Sequence, residues 1–231
     1  MTVSSVSLVG RVATQMTSKR PPGDLRPALV SAAAQLIAER GPTGFSMREV
    51  ARRAGVSHAA PAHHFGDNRG LLTAVALEGF KTLIDAFDEA VANIDDPIER
   101  LYRMGNAYVS TALQAPGHFG VMCNIELVDE DDPELAANSV AAYQRLLATL
   151  VEIRDAINPD LDVDAAATMA WSLTHGLAVL APTLQSVADR TGTETGPIDE
   201  LMEKFNSILL NGLAARPQPK LASDHKDNLE S

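Results

Sequence analysis

Between residues 46 and 65 the chain reads SMREVARRAGVSHAAPAHHF, and this stretch limits the available folds more than any other. Ser46 precedes a helical run and has Glu49 three residues on, the pairing in which a hydroxyl and a carboxylate satisfy the first free amides of a helix reciprocally. Gly55 ends that helix after about two turns, where a sharp change of direction favours a residue that tolerates positive φ. Ser57 is placed to cap a second short segment. Val50, Ala51, Ala54 and Val56 are small and apolar where the two segments would cross. Together these features define a helix-turn-helix.

So short a pair needs neighbours to close a core, and the flanking sequence supplies them. Leu25, Leu29, Ala32, Ala33, Leu36 and Ile37 recur at three- and four-residue steps, with Asp24 as a cap and Gly41-Pro42 as the stop. Beyond the motif, Asp67 opens a long amphipathic segment carrying Leu71, Leu72, Val75, Phe80, Leu83, Ile84 and Phe87. Further helices are predicted from Pro97 to Ala115, from Pro133 to about Asn158, from Asp162 to about Ala188 and from Ile198 to Ala214. Pro116-Gly117 breaks the chain before a short HFGVM segment, and DEDDPE reads as an acidic turn. No segment alternates as a strand does. The expectation is an all-α protein of about nine helices. Its organisation reads as a loose arm over 1–23, a helix-turn-helix domain over 24–70, a helical body over 71–215 and a polar tail over 216–231.

Charge divides along the same boundary. The net charge is −11, yet residues 1–70 hold nine Lys/Arg against four Asp/Glu, leaving ten against 26 in the rest. A basic module on an acidic body is the electrostatic pattern of polyanion binding. The second motif helix would lie in the major groove of double-stranded DNA and present Ser57, His58, Ala59 and Ala60 to base edges, with His63 and His64 further along it. Ser46, Arg48, Arg52 and Arg53 would meet phosphates from the first helix. The three histidines stand five and one apart, so their rings splay over different faces and do not form a metal set.

The pattern LVSAAAQLIAERGPTGFSMREVARRAGVS…HHFGDNRGLLTAVALEGF resembles the DNA-binding domain and linking helix of TetR-type transcriptional repressors. Further on, AWSLTHGLAVLA, with Trp171, His175 and Gly176, is similar to the C-terminal domain of the Trp-His-Gly subgroup of that family. The resemblance implies a ligand-binding and dimerisation body, a homodimer, and a repressor released from a palindromic operator by a small, mostly apolar effector. It implies no cofactor and no enzymatic activity, and no nucleophile elbow, phosphate loop or zinc motif argues otherwise. Met104, Tyr108, Phe119, Met122, Trp171 and His175 are expected near the effector, and Leu201, Phe205, Ile208 and Leu209 at the dimer interface. Two positions depart from the family pattern: Ala62 stands where a tyrosine usually reaches the DNA backbone, and Asn68 where lysine is common. His63 and Arg69 are candidate substitutes. An effector-independent DNA binder, or an interaction module with weakened DNA affinity, remains open at this point.

Cys123 is the only cysteine. It excludes an internal disulfide and reads as a buried, inert thiol. No apolar run approaches the roughly 18 residues of a membrane span, so a cytoplasmic protein is expected.

Overall fold

The computed structural model describes residues 25–192, 200–205 and 207–208; Asp24, the arm, the tail and Leu209 lie outside them. The described residues are helical, without strands. In order they form α1 (Leu25–Arg40), α2 (Met47–Ala54), α3 (Ala60–Phe65), α4 (Asn68–Val91), α5 (Pro97–Gln114) and α6 (Pro116–Met122). A short 3-10 turn follows at Ile125–Leu127, then α7 (Pro133–Ala156) and α8 (Val163–Thr191). Residues 200–205 and 207–208 are helical again.

Local chemistry sets most boundaries. Gly41, at φ +81°, ends α1 and returns its N–H to the Ile37 carbonyl. The Ser46–Glu49 capping box is complete: Ser46 Oγ accepts from the Glu49 amide, and Glu49 Oε2 accepts from the Ser46 amide. Gly55 takes the left-handed conformation at φ +70° and caps α2. Asp67, Asp96, Asp132 and Asp162 cap α4, α5, α7 and α8 through their carboxylates. Each relieves amides at the positive end of a helix.

The third helix departs from expectation. Ser57 does not cap it. Residues 57–59 form a turn closed by the Ala60 amide on the Ser57 carbonyl, and α3 starts at Ala60 with Ala59 as the flanking residue. Pro61 thereby falls in the first turn, where a missing N–H costs nothing. It is also fully buried. The proline sits in the first turn of α3 and anchors the helix by its burial.

One core joins the head to the body. Leu29, Ala33, Leu36, Val50, Leu71 and Val75 pack together at the head, and the same cluster continues into Val121, Val128 and Leu135. The first half of α4 belongs to this cluster, while Leu83 and Phe87 in its second half pack with Met104 and Ala142 of the body. At about 1.5 Å per residue α4 is roughly 36 Å long, and it serves as a shared beam between the two. The boundary expected near residue 70 falls inside this cluster. Arg145 grips Asp88 with two 2.6 Å hydrogen bonds and ties α7 to α4. That guanidinium holds the Asp88 carboxyl below its ordinary range.

Candidate functional site

The exposed face of the head is built from the α2–α3 corner. Ser57, His58 and Ala59 in the turn, and Ala62 and His63 on α3, are exposed, while Ala60 and His64 are half-buried. The His63 and His64 rings meet edge to face at 5.6 Å. Arg26 of α1 lies 5.2 Å over the Phe65 ring and holds the end of α3 to the head. Small residues at 59, 60 and 62 leave this surface shallow, so a partner approaches the backbone closely.

The cations beside it are not equivalent. Arg53 is spent on Glu39, with two hydrogen bonds of 2.6 and 2.7 Å. Arg40 is paired with Glu49 at 2.7 Å. Arg48 and Arg52 are exposed and have no ion pair among the described residues. The Ser46 hydroxyl, expected on a phosphate, is engaged by its own capping box. Arg69 differs most from expectation: its Nε donates to the Val128 carbonyl at 2.8 Å, across 59 residues of sequence. Next to it, the Thr73 hydroxyl donates to the Arg69 carbonyl and accepts from the Asp129 amide, both at 2.8 Å. The start of α4 is thereby stitched to the turn that precedes α7.

Within the body, α4, α5, α7 and α8 surround a cavity of about 480 Å³, of the size that holds a small organic molecule. Of the six residues expected there, Met104, Tyr108, Met122 and Trp171 line it. Phe119 and His175 do not; they stand behind Tyr108. His175 Nδ1 lies 2.9 Å from Tyr108 Oη, and the Phe119 and His175 rings are 5.3 Å apart. They set the orientation of the phenol and do not touch the void. Trp171 is 47% exposed, with its indole N–H directed at Tyr108 Oη at 3.4 Å and its ring 5.9 Å from that of Tyr143. Burial raises the Tyr108 phenol well above its usual pKa, so it stays protonated.

Cys123 also contradicts its expectation. The residue is exposed, its thiol lines the cavity, and the sulfur lies 3.9 Å from His175 Nδ1. Desolvation pushes its pKa up, which keeps it a neutral thiol.

Sequence reasoning missed the wall made by Tyr143, Ser139 and Val140 of α7. Ser139 and Tyr143 are four apart and share a helical face, but periodicity reports which face turns inward and not whether that face meets a void. The residues expected at a dimer interface differ in exposure. Leu201 and Phe205 pack half-buried against Val109, Ala112, Leu177 and Ala178 of their own chain, whereas Ile208 is 69% exposed.

A shallow helix-turn-helix face carried on a helical body that encloses an apolar cavity defines a class, the ligand-sensing DNA-binding regulators. The chain belongs to the TetR family of bacterial transcriptional regulators. The model described as "Bacterial regulatory proteins, tetR family" matches residues 29–75, and that of the "Tetracyclin repressor-like, C-terminal domain" matches residues 101–201. HTH-type transcriptional repressor Rv3405c of Mycobacterium tuberculosis is 30% identical over 198 residues, covering 83% of this chain and 91% of the relative. A solved structure of a protein of unknown function from Rhodococcus sp. RHA1 is 29% identical with a TM-score of 0.69, covering 89% of this chain and all of that one. FadR of Bacillus subtilis, solved in complex with stearoyl-CoA, shares the fold at 18% identity with a TM-score of 0.65, covering 80% of this chain and 98% of that one. The family consists of regulators and not enzymes.

Proposed function

We propose that the protein is a cytoplasmic homodimeric repressor that holds a roughly palindromic operator and releases it when a small, mostly apolar effector enters the cavity. The observation that carries this reading is that two walls of the cavity are also the attachments of the head. Met122 and Cys123 line the cavity at the end of α6. Gly117 of the same helix lies against the backbone of Ala34 in α1, and Met122 and His118 lie against Gly79 of α4. Opposite, Ile125, Val128 and Glu130 line the cavity from the turn that Arg69 and Thr73 hold to the start of α4. An occupant that displaces either wall moves α1 or α4, and with them α3.

In a dimer, two copies of α3 must meet successive major grooves about 34–36 Å apart. An effector that favours another spacing weakens DNA binding, and DNA weakens effector binding by the same factor. Trp171 in the wall, His175 behind Tyr108 and Gly176 on the same helix support assignment to the Trp-His-Gly subgroup. No helix among the described residues is long and apolar enough to cross a membrane.

Selection of bound sequences from random DNA with the purified protein tests the reading. Inverted half-sites with centres about 10 base pairs apart are expected; recovery of unrelated sequences refutes it. Replacing Arg52 with Ala is expected to weaken binding to all sequences alike and to flatten the log–log salt dependence by about 0.9 per lost phosphate contact. Arg53→Ala, which frees Glu39 instead, should leave that slope nearly unchanged. Titrations between low and moderate salt separate the two. Ala62→Tyr should restore a backbone contact and raise operator affinity several-fold; equal affinities in a gel-shift titration would remove this face of α3 from the phosphates.

A further inference from the structure

The cavity offers hydrogen bonds but almost no charge. Its walls are aromatic and aliphatic, with Tyr108, Cys123, Tyr143, Ser139 and Thr174 as neutral polar groups. Among the described residues no lysine, arginine or histidine lines it, and Glu130 is its one carboxylate. Ile125, Glu130 and Val140 are exposed and form its rim, beside the exposed carboxylates of Asp129 and Asp131. Two cations of neighbouring elements are already engaged, Lys81 by Glu134 at 2.6 Å and Arg69 by the Val128 carbonyl, and neither lines the cavity. An anion entering here would lose water, pass a negative rim and meet no counter-charge.

The Tyr108 phenol is built to meet a neutral oxygen. Its oxygen accepts from the Trp171 indole N–H and lies 2.9 Å from His175 Nδ1. If Nδ1 carries the imidazole proton, it also donates to the phenol oxygen, and the phenol O–H is left for a ligand carbonyl. If Nε2 carries it, the phenol donates to Nδ1 and keeps a lone pair for a ligand hydroxyl. Either tautomer leaves Tyr108 one further hydrogen bond, held only by the weak Cys123 thiol, which a ligand oxygen displaces. We propose that the cavity selects an uncharged, largely apolar molecule whose single hydroxyl or carbonyl oxygen hydrogen-bonds to Tyr108, and that it rejects carboxylates and coenzyme A thioesters. This ligand class rests on the cavity being the effector site.

Trp171 is the only tryptophan of the chain and stands in the cavity wall, so its fluorescence reports occupancy directly. The full chain is titrated with decan-1-ol, decanoate and decanoyl-coenzyme A. Decan-1-ol is expected to bind at least ~10-fold more tightly than either anion. Tyr108→Phe should weaken decan-1-ol about fivefold, the effect of one hydrogen bond. Glu130→Lys, a change of charge at the exposed rim, should strengthen decanoate several-fold relative to decan-1-ol. Decanoate or decanoyl-coenzyme A binding as tightly as the alcohol overturns the ligand class while leaving the cavity as the effector site. An unchanged alcohol affinity in Tyr108→Phe overturns the role of the phenol. If none of the three probes alters Trp171 emission, the cavity is not the effector site, and the ligand class falls with it.

Discussion

Gly117→Ala is expected to destabilise the protein by about 3 kcal/mol, the upper part of the range for forcing one carbon into a packed contact. A Cβ at this position would stand 1.9 Å from the Ala34 carbonyl oxygen and 2.7 Å from its carbonyl carbon. Both are backbone atoms in the middle of α1, so no side chain can rotate away. The only relief is for α6 to lift off α1. For a chain of this length the loss corresponds to a fall in Tm of about 6–12 °C, measured at one fixed protein concentration so that association does not confound it. The same helix contains its control. A Cβ on Gly120 would meet only Ile37 Cγ2, at 3.9 Å, an ordinary contact. Gly120→Ala should therefore stabilise by about 0.5–1 kcal/mol through lower chain entropy in the unfolded state. Opposite signs for two glycines three residues apart would establish that α6 is seated on α1. Equal effects would show that it is not. If Gly117→Ala still folds, it should also respond less to an occupied cavity, because the wall that carries Met122 and Cys123 is no longer tied to the head.

Pairing Val179→Asp with Leu180→Asp is expected to convert the proposed homodimer into monomers and to lower operator affinity by at least ~100-fold. Val179, Leu180 and Val187 on α8 are 53%, 52% and 41% exposed, and Ile208 follows at 69%. Leu180 and Val187 are seven apart and Val179 and Val187 eight apart, so the three side chains lie near one side of α8 as an apolar stripe. Among the described residues nothing covers it. A two-fold axis through such a stripe brings it against its own copy, and each introduced carboxylate then faces its symmetry mate. The affinity falls because one head must bind without the high effective concentration supplied by the other, a factor of roughly 10²–10⁴. Sedimentation with and without operator DNA measures both effects. The side chains are exposed in the single chain, so its helicity should be unaffected; a variant that remains dimeric would place the interface elsewhere. Leu201 and Phe205, also expected at the dimer interface, are half-buried against their own chain, so substitutions there would report on folding as well.

The head was readable because its determinants are local. Ser46, Glu49, Gly55 and Asp67 act within three or four residues of their own position, so spacing alone reveals the caps and turns. The role of Pro61 was hidden for the same reason. A cap at Ser57 would put the proline in the fourth helical position and cost one hydrogen bond. The actual start at Ala60 depends on burying the Pro61 ring, a tertiary gain that no local rule contains. Tyr108 and Trp171 could be placed near a ligand through the family resemblance, but their separation of 63 residues says nothing of the 3.4 Å hydrogen bond between them.

The amino-acid sequence by itself determined the helical class, the position of the helix-turn-helix and the charge division between head and body. Capping, periodicity and composition act along the chain and need no partner. Only the tertiary structure decided which cations remain available, since Arg53 and Arg69 are taken by Glu39 and by a carbonyl 59 residues away. It likewise decided that inward-facing helix surfaces leave a void lined by Cys123 and Trp171 instead of closing on one another. A periodic pattern specifies which residues avoid water, but whether they fill the space they enclose depends on how far apart the packed helices are held.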